Sequence, residues 1–328
     1  MLHSLLLKTS PQAPTGEAPP WQAEIMHSTD HGGPFNPYDV AVPDIPTTQI
    51  HGSIEVVPGH PTEYTFEYAH NDPLETIYPF FSGFGGVKLS SGPFAGAMAR
   101  LGMGSLIMES AREDDRSNRE RFADPHKLQI EIMEAAIEDL SAKVGLDISP
   151  EATQTVPVAH SMGGEPALRY AEKNHDTTRA VILLAAIGFG SPNVLKMMRK
   201  VPMGAPIAIR EEIIPFILND ELDLSLSGAR KAIRYYFANP MRTIGEIGSC
   251  LTSRQADRAH RLRDLGIPTI YGQPIYDVLV QGADGAQSSV DVVGEIDRAG
   301  HMFVQAKPGR AAHWVKDALN TVALAKAS

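Results

Sequence analysis

The 328-residue chain predicts an α/β fold: a mostly parallel central sheet, helices on both faces, and a helical insertion. Three observations carry this reading. From Thr76 onward, short apolar runs alternate with helical stretches, and parallel strands need such crossovers. Arg179 to Ile187 is apolar without polar alternation, the pattern of a strand buried on both faces. The alternation stops near Gly190 and resumes at Ile267.

Residues 1–48 are rich in Pro, Gly, Thr and His between positions 9 and 48. Proline lacks a backbone donor and resists helix and sheet, so this segment is expected to be extended or partly disordered. Order is expected from about His51. Ile54–Val57 and Tyr64–Tyr68 alternate apolar and polar residues around Pro58-Gly59-His60-Pro61, an antiparallel hairpin. Thr76–Phe81 reads as a strand, Gly92–Leu101 as a small-residue helix, and Gly104–Met108 as a strand. Gln129–Val144 places Ile130, Met133, Ile137 and Leu140 on one helical face. Thr155–Ala159 is a β-branched strand, Met162–Glu172 a helix, and Arg179–Ile187 a strand. Residues 191–260 look helical and irregular. Strands at Ile267–Tyr271 and Val290–Ile296 and a helix at Ala311–Ala325 complete the chain. The core is therefore assigned to 49–190 and 261–328, and a cap or lid to 191–260.

Composition narrows the function classes. Hydrophobic residues make up 43% and charged residues 21%, an ordinary soluble balance. The net charge of -10 repels phosphate backbones and anionic bilayers, so neither nucleic acid nor membrane is an expected partner. Cys250 is the single cysteine; it cannot form an internal disulfide or a cysteine zinc cluster and reads as structural. The N-terminal Met-Leu-His-Ser-Leu-Leu-Leu-Lys lacks a basic start and a full signal-peptide core. Ala180–Gly190 is well below membrane-spanning length. A cytoplasmic location is the expectation.

The chemistry centres on Val156-Pro157-Val158-Ala159-His160-Ser161-Met162-Gly163-Gly164. A strand runs straight into Ser161 and a helix leaves straight after it. Such a turn pushes the hydroxyl into the open at the sheet's C-terminal edge. It crowds its neighbours, so small residues are needed two positions either side; Ala159 and Gly163 stand there. The helix start behind Ser161 offers free N–H groups to a developing oxyanion.

Ala-His-Ser-Met-Gly-Gly resembles the nucleophile elbow of α/β-hydrolase enzymes, where Gly-His-Ser-Met-Gly-Gly is a familiar form. Ala159 replaces the first glycine. The resemblance covers roughly residues 50 to 325 and implies the α/β-hydrolase fold, a helical cap, a serine nucleophile and no cofactor or metal. It also implies a second oxyanion donor on the loop after an earlier strand, often His-Gly-x-Gly-Gly. Here that loop is Ser82-Gly83-Phe84-Gly85-Gly86, with Ser82 in place of histidine. By resemblance, the N–H groups of Phe84 and Met162 form the oxyanion hole. A phosphate-binding loop is set aside because no Gly-Lys-Ser/Thr or Gly-x-Gly-x-x-Gly follows.

The family places its catalytic histidine between the last strand and the last helix. His301, in Ala299-Gly300-His301-Met302-Phe303, matches that position. His160 is expected to pack behind the elbow, and His313 to be structural. The orienting acid should follow the preceding strand. Asp277 heads an apolar Val278-Leu279-Val280 stretch but comes two residues later than the family's Gly-x-x-Asp pattern; Asp284 is the rival. Asp297 is too near His301 in sequence to reach around its ring. The order Ser161, Asp277, His301 fits the fold's Ser, acid, His order.

Within the cap, Met197, Met198, Met203, Ile213, Ile214, Phe216, Ile217 and Leu218 offer apolar surface to an apolar acyl substrate, or pack the cap onto the body. Arg230, Lys231 and Arg234 read as a solvated basic stripe. The expected activity is cleavage of a carboxylic ester or related acyl bond through an acyl-enzyme. Carbon–carbon bond hydrolases, thioesterases and cofactor-free haloperoxidases of this scaffold keep the same triad and stay open. Dehalogenases and epoxide hydrolases resemble it but carry aspartate where Ser161 stands. A non-catalytic small-molecule binding protein is the alternative of another class, and a homodimer is compatible with either.

Overall fold

The computed structural model describes residues 39–69, 74–83, 88–109, 114–149, 151–189, 240–252, 255–277, 286, 288–297 and 299–327. Among the described residues, nine strands form one sheet: β1 (Thr47–Val57), β2 (His60–Ala69), β3 (Thr76–Phe81), β4 (Gly104–Met108), β5 (Gln154–Thr155), β6 (Val158–His160), β7 (Val181–Leu184), β8 (Thr269–Pro274) and β9 (Val292–Ile296). Their spatial order is β1-β2-β4-β3-β6-β7-β8-β9, with β5 paired to β3. The β1–β2 and β2–β4 pairs are antiparallel. All other pairs are parallel.

Successive strand residues point to opposite faces, and both faces are covered. Phe81, Ala159, Leu183 and Tyr271 pack on one side with α3 (Lys127–Val144), α4 (Gly164–Lys173) and α6 (Gln255–Asp264). Phe80, Val158, Ile182, Leu184 and Ile270 pack on the other with α1 (Lys88–Arg100) and α8 (Pro308–Ala327). Two short helices, α2 (Asn118–Ala123) and α7 (Phe303–Ala306), and a further helix, α5 (Pro240–Thr252), complete the described helices. A buried large apolar side chain contributes about 1.5–3 kcal/mol, so this two-sided core holds the strand ends in register.

Several boundaries differ from the sequence expectation. The hairpin begins at Thr47, and only Pro58 and Gly59 lie between the paired Val57 and His60. Gly59 adopts φ 76° there, which a residue without Cβ adopts freely. The expected strand Thr155–Ala159 is split between β5 and β6. Pro157 has no N–H to give to the ladder, although its carbonyl still accepts from Ile182 N. Helix α1 starts at Lys88, before Pro93, instead of at Gly92.

Residues 39–41 of the segment expected to be extended are held on α8. The Asp39 carboxylate accepts from Gly309 N (2.9 Å) and Arg310 N (2.8 Å) at the helix start. His313 Nε2 donates to the Ala41 carbonyl at 3.0 Å. A Cβ on Gly309 would lie 2.0 Å from Val40 O, so this approach needs glycine. Residues 1–38 lie outside the described residues, as do 190–239, most of the segment expected as a cap. Of the insertion, α5 packs on α2, and α6 runs across the 260/261 boundary onto α4. Arg258 pairs with Glu165 (3.0 Å) and Glu172 there, and Arg261 with Glu172 (2.7 Å).

Candidate active site

The chain leaves β3 in one direction to form β4, then crosses back to build β6 on the other side of β3. The C-terminal ends of β3 and β6 therefore border the switch in strand order, where open α/β sheets form their crevices. Ser82 and Gly83 follow β3, and Ser161 follows β6.

Ser161 sits at φ 56°, one of two described non-glycine residues with positive φ. Left-handed backbone costs an L-residue about 1–2 kcal/mol. The residues around it must be small. A Cβ on Gly163 would fall 2.0 Å from the Phe81 carbonyl oxygen, and one on Gly164 2.8 Å from Ala186 Cβ. Ala159 is fully buried. A Cβ on Gly83 would lie 2.8 Å from Ser161 Cβ, so Gly83 presses directly on the elbow. Gly163→Ala forces backbone apart and should destabilise the fold by about 3 kcal/mol. Urea unfolding measures it, and a loss below about 0.5 kcal/mol would contradict the close approach.

Three side chains from separate loops meet at Ser161. Ser161 Oγ lies 2.9 Å from His301 Nε2, and His301 Nδ1 lies 2.9 Å from Asp277 Oδ2. An ionised carboxylate only accepts, so Nδ1 carries the imidazole proton. Nε2 then has its lone pair free for the serine O–H. All three residues are buried: Ser161 is 5%, His301 9% and Asp277 6% exposed. Met162 is the middle residue of the 3₁₀ turn Ser161–Gly163, which leads into α4.

The acid and base loops are tied together by backbone. Ile275 N donates to Ile296 O (3.1 Å), and Tyr276 N to Ala299 O (2.9 Å). Beneath them the Tyr271 hydroxyl shares its proton between Ala186 O (3.1 Å) and Gln273 Oε1 (3.2 Å). Burial, and then the Asp277 charge, push the Tyr271 hydroxyl far above its ordinary range, so it remains a donor. Sequence reasoning missed Tyr271. The available signal was a phenol in an otherwise apolar strand, since a buried hydroxyl needs a partner.

Burial also drives His160 down to about 3, helped by His301. His126, at the start of α3, falls to about 3 through burial and then the Arg169 and Arg242 charges. Both histidines stay neutral in the fold, while the unfolded chain protonates them below its ordinary 6.5. Their stabilisation is therefore complete above pH 6.5 and falls as pH drops toward 3. The slope approaches about 1.4 kcal/mol per pH unit for each. Urea unfolding of the wild type and His126→Gln across this window should give curves of different slope, the wild type losing stability more steeply than the variant as pH falls. Parallel curves would refute the neutral assignment of His126.

Phe84, Asp284 and the insertion residues named above between 191 and 239, including the basic stripe, lie outside the described residues. Cys250 lies on α5. Among the described residues no group of three or more His, Cys, Asp or Glu could hold a metal ion, and no helix is long and apolar enough to cross a membrane.

No family model matches the chain, and no curated protein matches it in sequence. Solved structures do. An enol-lactonase from Burkholderia xenovorans is similar over 82% of this chain and 100% of its own, with TM-score 0.54 and 15% identity. A serine hydrolase from the polyaromatic hydrocarbon-degrading bacterium Cycloclasticus zankles is similar over 83% and 98%, with TM-score 0.54 and 14% identity. A thioesterase domain from the curacin biosynthetic pathway is similar over 82% and 99%, with TM-score 0.52 and 12% identity. At these identities the likeness is one of fold: the chain has the α/β-hydrolase fold.

Proposed function

We propose that this protein is a serine hydrolase that cleaves a carboxylic ester or related acyl bond through Ser161, His301 and Asp277. One observation carries the reading: Ser161 Oγ, His301 and Asp277 form a continuous relay with both links at 2.9 Å, on a serine held at φ 56°. A left-handed serine is a strained arrangement that stability alone does not call for.

In the proposed reaction, Ser161 Oγ attacks the acyl carbon while His301 Nε2 takes its proton. Asp277 holds the resulting imidazolium in orientation. The N–H of Met162, with that of Phe84, receives the negative charge of the tetrahedral oxygen. The C–O bond then breaks as His301 returns the proton to the leaving alkoxide, leaving an acyl-serine. Water, deprotonated by His301, attacks that ester and regenerates Ser161 with release of the acid. Each proton passes to or from His301 Nε2, which finally returns one to Ser161 Oγ as the acyl-serine breaks.

The substrate expected is apolar on its acyl side. Ile275 and Met302, beside Asp277 and His301 in sequence, are exposed apolar side chains at 46% and 41%, and the insertion is assigned here to cover them. The test is a panel of nitrophenyl esters of increasing acyl length, alongside labelling by a fluorophosphonate located by peptide mass. Turnover with the label on Ser161 supports the reading. Failure of the folded protein to label, or a label on another serine, ends it.

A further inference from the structure

His160 sits immediately before the nucleophile and is fully buried. A buried histidine beside an elbow is accounted for by packing alone if its ring nitrogens contact nothing relevant. Here Nε2 lies 2.7 Å from the main-chain carbonyl oxygen of His301 itself. A carbonyl can only accept, so His160 is the Nε2–H tautomer and donates. Its Nδ1 has no hydrogen-bond partner among the described residues. It faces Gly83, where an added Cβ would lie 3.4 Å from it. The rings of His160 and His301 are 5.2 Å apart, and the edge of Phe303 closes the far side at 6.2 Å.

We infer that His160 is a positioning residue, which sets the distance between nucleophile and base by anchoring the His301 main chain to the nucleophile strand. The inference rests on the proposed hydrolase reading. Asp277 fixes the rotation and tautomer of the His301 ring through Nδ1. It does not fix where the His301 backbone stands relative to Ser161, because Asp277 arrives from the β8 side. His301 itself lies in a turn, outside any strand or helix. The 2.7 Å bond supplies a tie from the residue covalently joined to Ser161. The two anchors are thus complementary: one at the imidazole, one at the main chain. A neutral donor suits the task, because a second cation would oppose the imidazolium that forms on His301 during turnover.

The test compares two variants with the wild type. His160→Gln places an amide N–H at the reach of Nε2; His160→Phe fills the ring volume without a donor. His160→Phe should lower kcat about 10- to 100-fold with KM little changed, as expected when a reacting pair is displaced without loss of substrate binding. His160→Gln should recover most of that loss. The pH profile of His160→Gln should keep the wild-type shape, because His160 transfers no proton. The downfield proton resonance of His301 Nδ1–H should broaden in His160→Phe and persist in His160→Gln. If His160→Phe does not fold, His160→Met, which also lacks a donor, replaces it. Equal kcat in the wild type and the donor-free variant overturns the inference, as does a folded His160→Gln no better than that variant. These outcomes are separable from failure of the hydrolase reading, in which fluorophosphonate labelling would survive Ser161→Ala.

Discussion

Ser161→Ala should abolish fluorophosphonate labelling and lower ester turnover by about 10⁴- to 10⁶-fold while the protein stays folded. The magnitude follows from removing the attacking atom; oxyanion donors and substrate binding leave only a small residual rate. The same position carries a stability signature. Ser161 holds φ 56°, which disfavours any residue with a Cβ and suits glycine. Ser161→Gly should therefore be more stable than Ser161→Ala by about 1 kcal/mol, read from urea midpoints. Retained turnover in purified Ser161→Ala would remove this serine from the mechanism. Equal stability of the alanine and glycine variants would contradict the left-handed backbone.

Asp277→Asn should lower kcat by about 10⁴-fold, the scale seen when a histidine-orienting aspartate is made neutral. Asparagine can turn its amide N–H₂ toward His301 Nδ1. The imidazole proton then moves to Nε2, which can no longer accept from Ser161 Oγ. The charge that stabilises the imidazolium is lost in the same substitution. Asp284→Asn should leave kcat close to the wild type, because His301 Nδ1 already has its partner in Asp277 Oδ2 at 2.9 Å. A large loss in Asp284→Asn with Asp277→Asn active would transfer the role to the rival acid. Steady-state kinetics on one nitrophenyl ester decides between them.

Much of the architecture was legible from local pattern. Thr76–Phe81 and Gly104–Met108 have the expected limits, because each is a compact apolar run bounded by polar or glycine-containing segments. The limits were less legible where backbone chemistry competes with side-chain pattern. Thr155 to Ala159 reads as continuous β-branched strand, yet Pro157 breaks the ladder in its middle. The first strand reaches back to Thr47 because its partner β2 runs on to Ala69 and pairs with it, a long-range pairing that periodicity in the short Ile54–Val57 stretch does not carry. The docking of Asp39 on α8 spans 270 residues of sequence, and nothing local announces it.

The candidate site divides in the same way. By itself the sequence determined that Ser161 stands at a strand-to-helix turn and that His301 precedes the last helix, because turn composition and apolar periodicity are local properties. It also showed that a small residue was needed at 163, though not what it touches. Only the tertiary structure decided that Asp277 is the partner of His301. The sequence favoured Asp277 over Asp284 for its nearness to the strand end although it comes two residues late; the β8–β9 register and the backbone bonds of Ile275 and Tyr276 carry its carboxylate to Nδ1. The contact of His160 with the His301 carbonyl, across 141 residues, belongs to the same class. Both depend on how strand ends are brought together by parallel pairing and a two-sided core, and that information is distributed over the whole chain.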